Sequence, residues 1–154
     1  MEGLTARYRA TVIIIAAQIV IISALAVAAW FDVFNFDATA SVSTVTILWV
    51  AVIFIAVGSF VLRRTFFTWE KLTDTALLKG KKGLIKYLQT GAIILSAAAT
   101  AIAAVGLAIT ILSGDKFQLL RAAAIALIVC LINFPRRRIW EKVVGNLEKF
   151  ETQR

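Results

Sequence analysis

The sequence predicts an all-α integral membrane protein with four transmembrane helices, and two observations carry this prediction. Hydrophobic residues make up 60% of the 154 positions and charged residues only 17%, whereas soluble domains average about 45–50% apolar and about 25% charged residues. The apolar residues are also grouped into four long stretches. Each stretch reaches or approaches the roughly 20 residues that a helix needs to cross a hydrocarbon core of about 30 Å. We therefore treat residues 1–154 as a single membrane domain.

The four predicted spans pair into two hairpins, which cover about residues 8–62 and 84–134. The first apolar stretch is longer than the roughly 7–15 residues of a signal-peptide core, so we expect it to be retained as a helix. Pro135 is expected to end the last span because proline cannot continue a helix. The spans are expected at about residues 11–30, 41–62, 84–112 and 117–134.

Each predicted hairpin ends in a similar basic and aromatic phrase. Residues 63–71 read RRTFFTWEK, and residues 136–142 read RRRIWEK. Both hairpins also begin with basic residues and carry acids in the loop between their two spans. A tandem duplication of one hairpin explains this likeness. The positive-inside rule, acting on any two hairpins of the same orientation, explains it equally well.

The positions of the basic residues predict how the chain is oriented. Lys and Arg total 17, and all but Lys116 and Arg121 lie before the first span, between the hairpins, at the inner end of the third span (Lys86) or after the last span. Basic residues are retained on the cytoplasmic side of a membrane. We therefore expect the two hairpins to have the same orientation, with both termini in the cytoplasm and the spans in the cytoplasmic membrane of a prokaryote.

An amphipathic segment follows each predicted hairpin. Residues at about 65–79 and about 136–151 place apolar and aromatic side chains at helical spacing, opposite charged ones. Helices of this kind lie in the cytoplasmic interface of the membrane, where tryptophan is favoured. We expect Trp69 and Trp140 to be interfacial anchors that contact membrane lipids. The alternative interpretation of these faces is a docking surface for a partner subunit.

Small residues recur on the third predicted span at steps of four. In lipid, helices gain no hydrophobic drive from packing together, and small side chains let two backbones approach closely. We therefore expect this face to contact another helix, in the same chain or in a neighbouring subunit. The predicted contact face consists of Ala92, Ser96, Thr100, Ala104 and Ala108.

Several functional classes are disfavoured by what the composition lacks. The chain has no histidine, the usual axial ligand of haem and a common ligand of copper, zinc and iron. No carboxylate falls deep within a predicted span, although proton- or sodium-coupled transport usually needs one. The net charge of +8 comes from residues that border the spans, so the expected anions are lipid headgroups and not nucleic acid. We predict no catalytic residue, cofactor or metal site.

These observations favour a non-catalytic accessory or scaffolding subunit that packs against other membrane subunits through its small-residue helix faces. The alternative is a small channel or transporter that functions as a homo-oligomer. Gln18, the deepest strongly polar side chain, is either a polar membrane site or a partner in an interhelical hydrogen bond. An enzyme acting on lipid has the least support, because no nucleophile has a visible base partner. The pore lining expected for the channel is Gln18, Thr44, Ser96 and Thr100.

Overall fold

The computed structural model describes residues 2–31, 41–138, 140–141 and 143–145. Within these residues the fold contains four long helices and no strand. The predicted loop with Asp32 and Asp37 lies outside the described residues, as does the predicted C-terminal amphipathic helix from residue 146 onward. The helices are α1 (Glu2–Trp30), α2 (Val42–Phe66), α3 (Trp69–Ser113) and α4 (Lys116–Ile132).

Three helices in the described part of the chain are long and apolar enough to cross a membrane, which indicates a multi-pass membrane protein. They are α1 from Leu4 onward, α2 and α3. The fourth helix, α4, has only 17 residues. At about 1.5 Å per residue it is about 25 Å long, which is less than the thickness of a hydrocarbon core of about 30 Å. The all-helical fold and the membrane character predicted from composition are therefore confirmed, with three candidate spans.

The helix that contains the third span is interrupted at Gly80. This residue has φ 61° and ψ −175°, a backbone conformation that is essentially restricted to glycine. A second glycine is needed nearby, because a Cβ atom at Gly83 would lie 2.3 Å from the Cβ of Lys79. The predicted boundaries differ here. Instead of separate helices at about 65–79 and from about 84, α2 continues to Phe66, and α3 runs from Trp69 with a break at Gly80.

Two adjacent residues shape the short connection between α3 and α4. Gly114 ends α3 in the left-handed region with φ 68°, and its N–H donates to the Thr110 carbonyl at 2.9 Å, as is common at helix C-termini. Asp115 then caps α4 by accepting a hydrogen bond from the Phe117 N–H at 3.0 Å. Aspartate is one of the residues preferred at the N-cap position of a helix. The tight turn brings α3 and α4 side by side.

α3 and α4 form the most closely packed pair of helices. A Cβ atom added at Gly106 of α3 would lie 2.2 Å from the Cβ of Ala122 on α4, so the two helices meet with no room for a further side chain. Ala99 of α3 is fully buried, and so is Ala126 of α4. Small residues therefore set the close approach of these helices, as they do in membrane helix pairs generally.

α1 and α2 flank this central pair and hardly contact each other. α1 packs on both α3 and α4, whereas α2 packs mainly on α3. In their most apolar stretches, only 17% of α1 and 11% of α2 is buried, against 44% of α3. Most of the exposed large apolar side chains among the described residues therefore belong to α1 and α2, which suits contact with lipid tails.

Candidate functional site

The first turns of α1, the end of α2 and the segment after α4 meet at one end of the bundle, which we call the basic end. The Tyr8 hydroxyl of α1 donates to the Pro135 carbonyl at 3.1 Å. The rings of Tyr8 and Trp140 meet edge to face, with centroids 5.6 Å apart. Arg63, near the end of α2, donates from Nη1 to the Ile132 carbonyl at the end of α4. Three segments that are distant in the sequence are thereby held together.

A pocket of about 280 Å³ opens at the basic end, and we call it the basic-end pocket. Its wall is formed by the end of α2, by residues of α3 and by the segment after α4. Most of the lining side chains are apolar or aromatic. The lining residues are Arg63, Phe67, Trp69, Leu72, Leu88, Ala92, Asn133, Phe134, Pro135, Arg136, Trp140 and Val143.

The two similar phrases that end the predicted hairpins meet at this pocket. Arg63 and Trp69 come from the first phrase, Arg136 and Trp140 come from the second, and all four line the pocket. Sequence reasoning placed both phrases at the membrane border without predicting that they share a site. The repetition is the signal that could have revealed it, because equivalent positions of two hairpins with the same orientation reach the same depth in the membrane.

The basic-end pocket is positively charged and contains one unsatisfied polar atom. Arg63 and Arg136 supply the charge, and no acidic side chain is among the described residues that line the pocket. Asn133 is only 9% exposed, and its Oδ1 atom is buried without a hydrogen-bond partner among the described residues. Buried polar atoms are usually paired. The pocket therefore has two cationic groups beside an apolar wall, and one of its lining residues, Asn133, carries a buried acceptor without a partner among the described residues.

The predicted contact face of the third span divides between two environments. Ala92 and Ser96 are buried, Thr100 and Ala108 are half-buried, and Ala104 is exposed. Because a helix turns by about 100° per residue, each step of four advances about 40° around the axis. Within this chain the five residues therefore do not form one face. A contact of Ala104 with another subunit stays a prediction.

The two predicted interfacial anchors also differ. Trp69 is 47% exposed at the start of α3, and its contact with lipid stays a prediction. Trp140 is only 3% exposed and packs against Tyr8. The helix does not continue through Pro135, and the chain that follows folds against the first turns of α1. Trp140 consequently joins the two ends of the chain and has little surface left for lipid.

Three of the four polar groups proposed for a pore have hydrogen-bond partners within this chain. The Ser96 hydroxyl donates to the Ile93 carbonyl at 2.9 Å, and the Thr100 hydroxyl donates to the Ser96 carbonyl at 3.4 Å. Thr44, in the first turn of α2, pairs with the Ser41 hydroxyl. Gln18 differs from these residues, because its Oε1 atom is buried without a hydrogen-bond partner among the described residues.

A second polar cluster lies at the opposite end of the bundle from the basic end. The Trp49 indole N–H of α2 donates to Gln118 Oε1 of α4 at 2.8 Å. Gln118 Nε2 in turn donates to Asp115 Oδ2 at 3.0 Å. This cluster links α2 to α4, a contact that helical periodicity did not predict, because periodicity does not specify which distant residues meet.

No group of three or more His, Cys, Asp or Glu side chains in the described ranges is arranged to hold a metal ion. Comparisons with known protein families, with curated proteins and with solved structures find no match to this chain. The functional interpretation therefore depends on the geometry of the chain itself.

Proposed function

We propose that this protein is a non-catalytic accessory or scaffolding subunit of a larger membrane protein complex. The observation that carries the proposal is a face of small residues on α3 that the chain leaves uncovered. Ala97 and Ala104 are exposed, and Ala101 and Ala108 between and beyond them are half-buried. Their spacing of four, three and four residues keeps them on one side of the helix. Such a face permits close approach of a helix from another subunit.

A groove between α2 and α3 supports the same proposal. It has a volume of about 240 Å³ and is lined by side chains such as Phe54, Leu62 and Ile94. Gly58 also lines it, and a Cβ atom at this glycine would meet nothing within 4 Å. The groove could therefore accept a side chain from a neighbouring helix without rearrangement of this chain.

For the topology we propose four spans in two hairpins of the same orientation, both termini in the cytoplasm of a prokaryote, and interfacial helices after each hairpin. The contacts of Tyr8 with Pro135 and of Arg63 with Ile132 support a shared side for the basic segments. α4 would span with its ends at the interfaces or with local thinning of the bilayer. A cysteine introduced at Arg138 should react with an impermeant reagent only after the cytoplasmic membrane is opened, and labelling of intact cells would contradict this topology.

The test of the scaffolding function is the native mass of the protein in gentle detergent, with mass spectrometry of everything that co-purifies. We expect other membrane subunits in the assembly. Ala104→Leu should remove them without changing the stability of the isolated chain, because Ala104 is exposed. Ala17→Leu is the matched control, since Ala17 is an exposed alanine on α1. An assembly unchanged by Ala104→Leu would contradict the role of this face.

A second candidate function, a small channel or transporter that acts as a homo-oligomer, is favoured by one observation. The Oε1 atom of Gln18 lies buried in the middle of α1 without a hydrogen-bond partner among the described residues, and water that enters between the helices of a pore could supply the missing donor. A native mass that corresponds to several copies of this chain alone would favour this function. Flux through liposomes that is lost in Gln18→Leu would then support a conduction path.

A further inference from the structure

The basic-end pocket combines features that the scaffolding function does not require. Arg63 is held at the wall by its bond to the Ile132 carbonyl, which uses only one of the five N–H donors of a guanidinium group. Arg136 lines the same pocket from the segment after α4. Two guanidinium groups at the edge of an apolar cavity favour a phosphate group, to which arginine donates in a bidentate manner.

The unpaired acceptor adds a second requirement. Asn133 is 9% exposed, lines the pocket and leaves Oδ1 without a partner among the described residues. A phosphate oxygen cannot satisfy this atom, because both are acceptors. A donor on the occupant, such as a hydroxyl group near its anionic group, would satisfy this atom once the Asn133 amide turns toward the pocket.

The size and position of the pocket indicate how much of the occupant it encloses. A volume of about 280 Å³ lies at the lower limit of small-molecule sites, which span about 300–1,000 Å³. It suits a headgroup and not a whole lipid. About one turn before Arg63, the side chains of Phe60 and Val57 are exposed on one side of α2, so acyl chains could extend from the pocket along an apolar surface. Trp69, partly exposed at the pocket, is a residue typical of the headgroup region.

We propose that the basic-end pocket binds one anionic phospholipid with a hydroxylated headgroup. The phosphate lies between Arg63 and Arg136, a headgroup hydroxyl donates to Asn133 Oδ1, and the acyl chains follow the exposed face of α2. The site is independent of the scaffolding function. It is built from both copies of the repeated phrase, so one lipid molecule connects the end of α2 to the end of α4.

The test is a titration of the full-length protein in nonionic detergent, with the bound lipid counted by native mass spectrometry. The ligands are dioleoyl phosphatidylglycerol, dioleoyl phosphatidylmethanol, which keeps the phosphodiester but lacks the hydroxyls, and dioleoyl phosphatidylcholine. Glycerol 3-phosphate serves as the free phosphate compound. We expect one tightly bound phosphatidylglycerol, weaker binding of phosphatidylmethanol, and the weakest binding of phosphatidylcholine and glycerol 3-phosphate.

Two substitutions separate the pocket from the general basic surface. Arg136→Gln should weaken the binding of phosphatidylglycerol about tenfold or more, because a hydrogen bond to a charged group is lost. Arg138→Gln, at an exposed arginine outside the pocket, should change the affinity less than about twofold, as expected for a screened surface charge. Asn133→Leu should remove the preference for phosphatidylglycerol over phosphatidylmethanol while retaining phosphatidylmethanol binding.

Three results would overturn the proposal. An equal loss of phosphatidylglycerol affinity in Arg136→Gln and Arg138→Gln would indicate that the lipid binds to the general basic surface and not to the pocket. Equal affinity for phosphatidylcholine would show that negative charge is not recognised. Binding of glycerol 3-phosphate as tight as that of the lipid would assign the pocket to a soluble phosphate compound.

Discussion

The two halves of the chain have similar sequence organisation and yet pack differently. In the second half, α3 and α4 meet so closely that a Cβ atom at Gly106 would lie 2.2 Å from the Cβ of Ala122. In the first half, α1 and α2 hardly touch and instead lie against the α3–α4 pair. The same order of span, loop, span and basic exit therefore produces one packed hairpin and one open pair of helices.

The difference shows that small residues, and not overall apolarity, determine which helices pair. Of the three candidate spans, α1 and α2 are the most apolar but are less buried than α3. In lipid an apolar side chain gains nothing by leaving the acyl chains, so association depends on close packing. α3 and α4 provide that packing through Ala99, Gly106, Ala122 and Ala126.

The largest expected effect comes from filling the contact between α3 and α4. Gly106→Ala should lower the free energy of unfolding by about 1–3 kcal/mol, because the added methyl group overpacks the site. This change in the free energy of unfolding is measured in detergent by titrating with SDS and monitoring the loss of helix by circular dichroism. Gly58→Ala on α2 is the matched control, since nothing lies within 4 Å of its added Cβ.

A compensating substitution sharpens the test of this contact. In the double variant Gly106→Ala with Ala122→Gly, the methyl group moves from one helix to the other, and most of the lost stability should return. If Gly106→Ala and Gly58→Ala lower the free energy of unfolding by the same amount, the contact between α3 and α4 is no tighter than the surroundings of Gly58. The proposed difference between the two halves would then be wrong.

A smaller effect is expected where α2 is attached to α4. Trp49→Phe removes the indole donor to Gln118 and should cost about 0.6–1.7 kcal/mol, the range for interhelical hydrogen bonds in membranes. Trp30→Phe, at an exposed tryptophan of α1, should have little effect. The same unfolding assay compares them, and equal stability of both variants would show that this bond does not hold α2 in place.

The smallest effect is expected at Gln18. Gln18→Leu should leave the stability of the isolated chain unchanged or raise it by up to about 1 kcal/mol, because an unpaired buried amide oxygen is removed. Gln118→Leu is the contrasting control, since Gln118 has partners on both its oxygen and its nitrogen and should be destabilising. A clear loss of stability in Gln18→Leu would reveal a partner for this side chain within the monomer.

The sequence predicted the helical fold, the membrane character and a short connection between the last two spans, because hydropathy acts locally. It predicted two hairpins, but not that α1 would pack on α3 and α4 and hardly touch α2. The steps of four from Ala92 describe a ladder that rotates around α3, whereas Ala99 and Ala103, which lie beside that ladder, are buried. Nor did it predict the basic-end pocket, since Arg63 and Arg136 are far apart in the chain and meet only after the helices assemble.

The hydrogen bond between Tyr8 and Pro135 joins residues 127 positions apart, and this separation sets the order in which the protein is built. At a synthesis rate of about 5–20 residues per second, Tyr8 leaves the ribosome on the order of ten seconds before Pro135. Until α3 and then α4 emerge in the later part of that interval, α1 lacks the helices on which it finally packs. It must persist alone in the bilayer, which a helix with all its backbone groups internally bonded and apolar side chains on every side can do. Closure of the bundle is therefore one of the last steps of biogenesis, and a chain that stops before Pro135 cannot complete it.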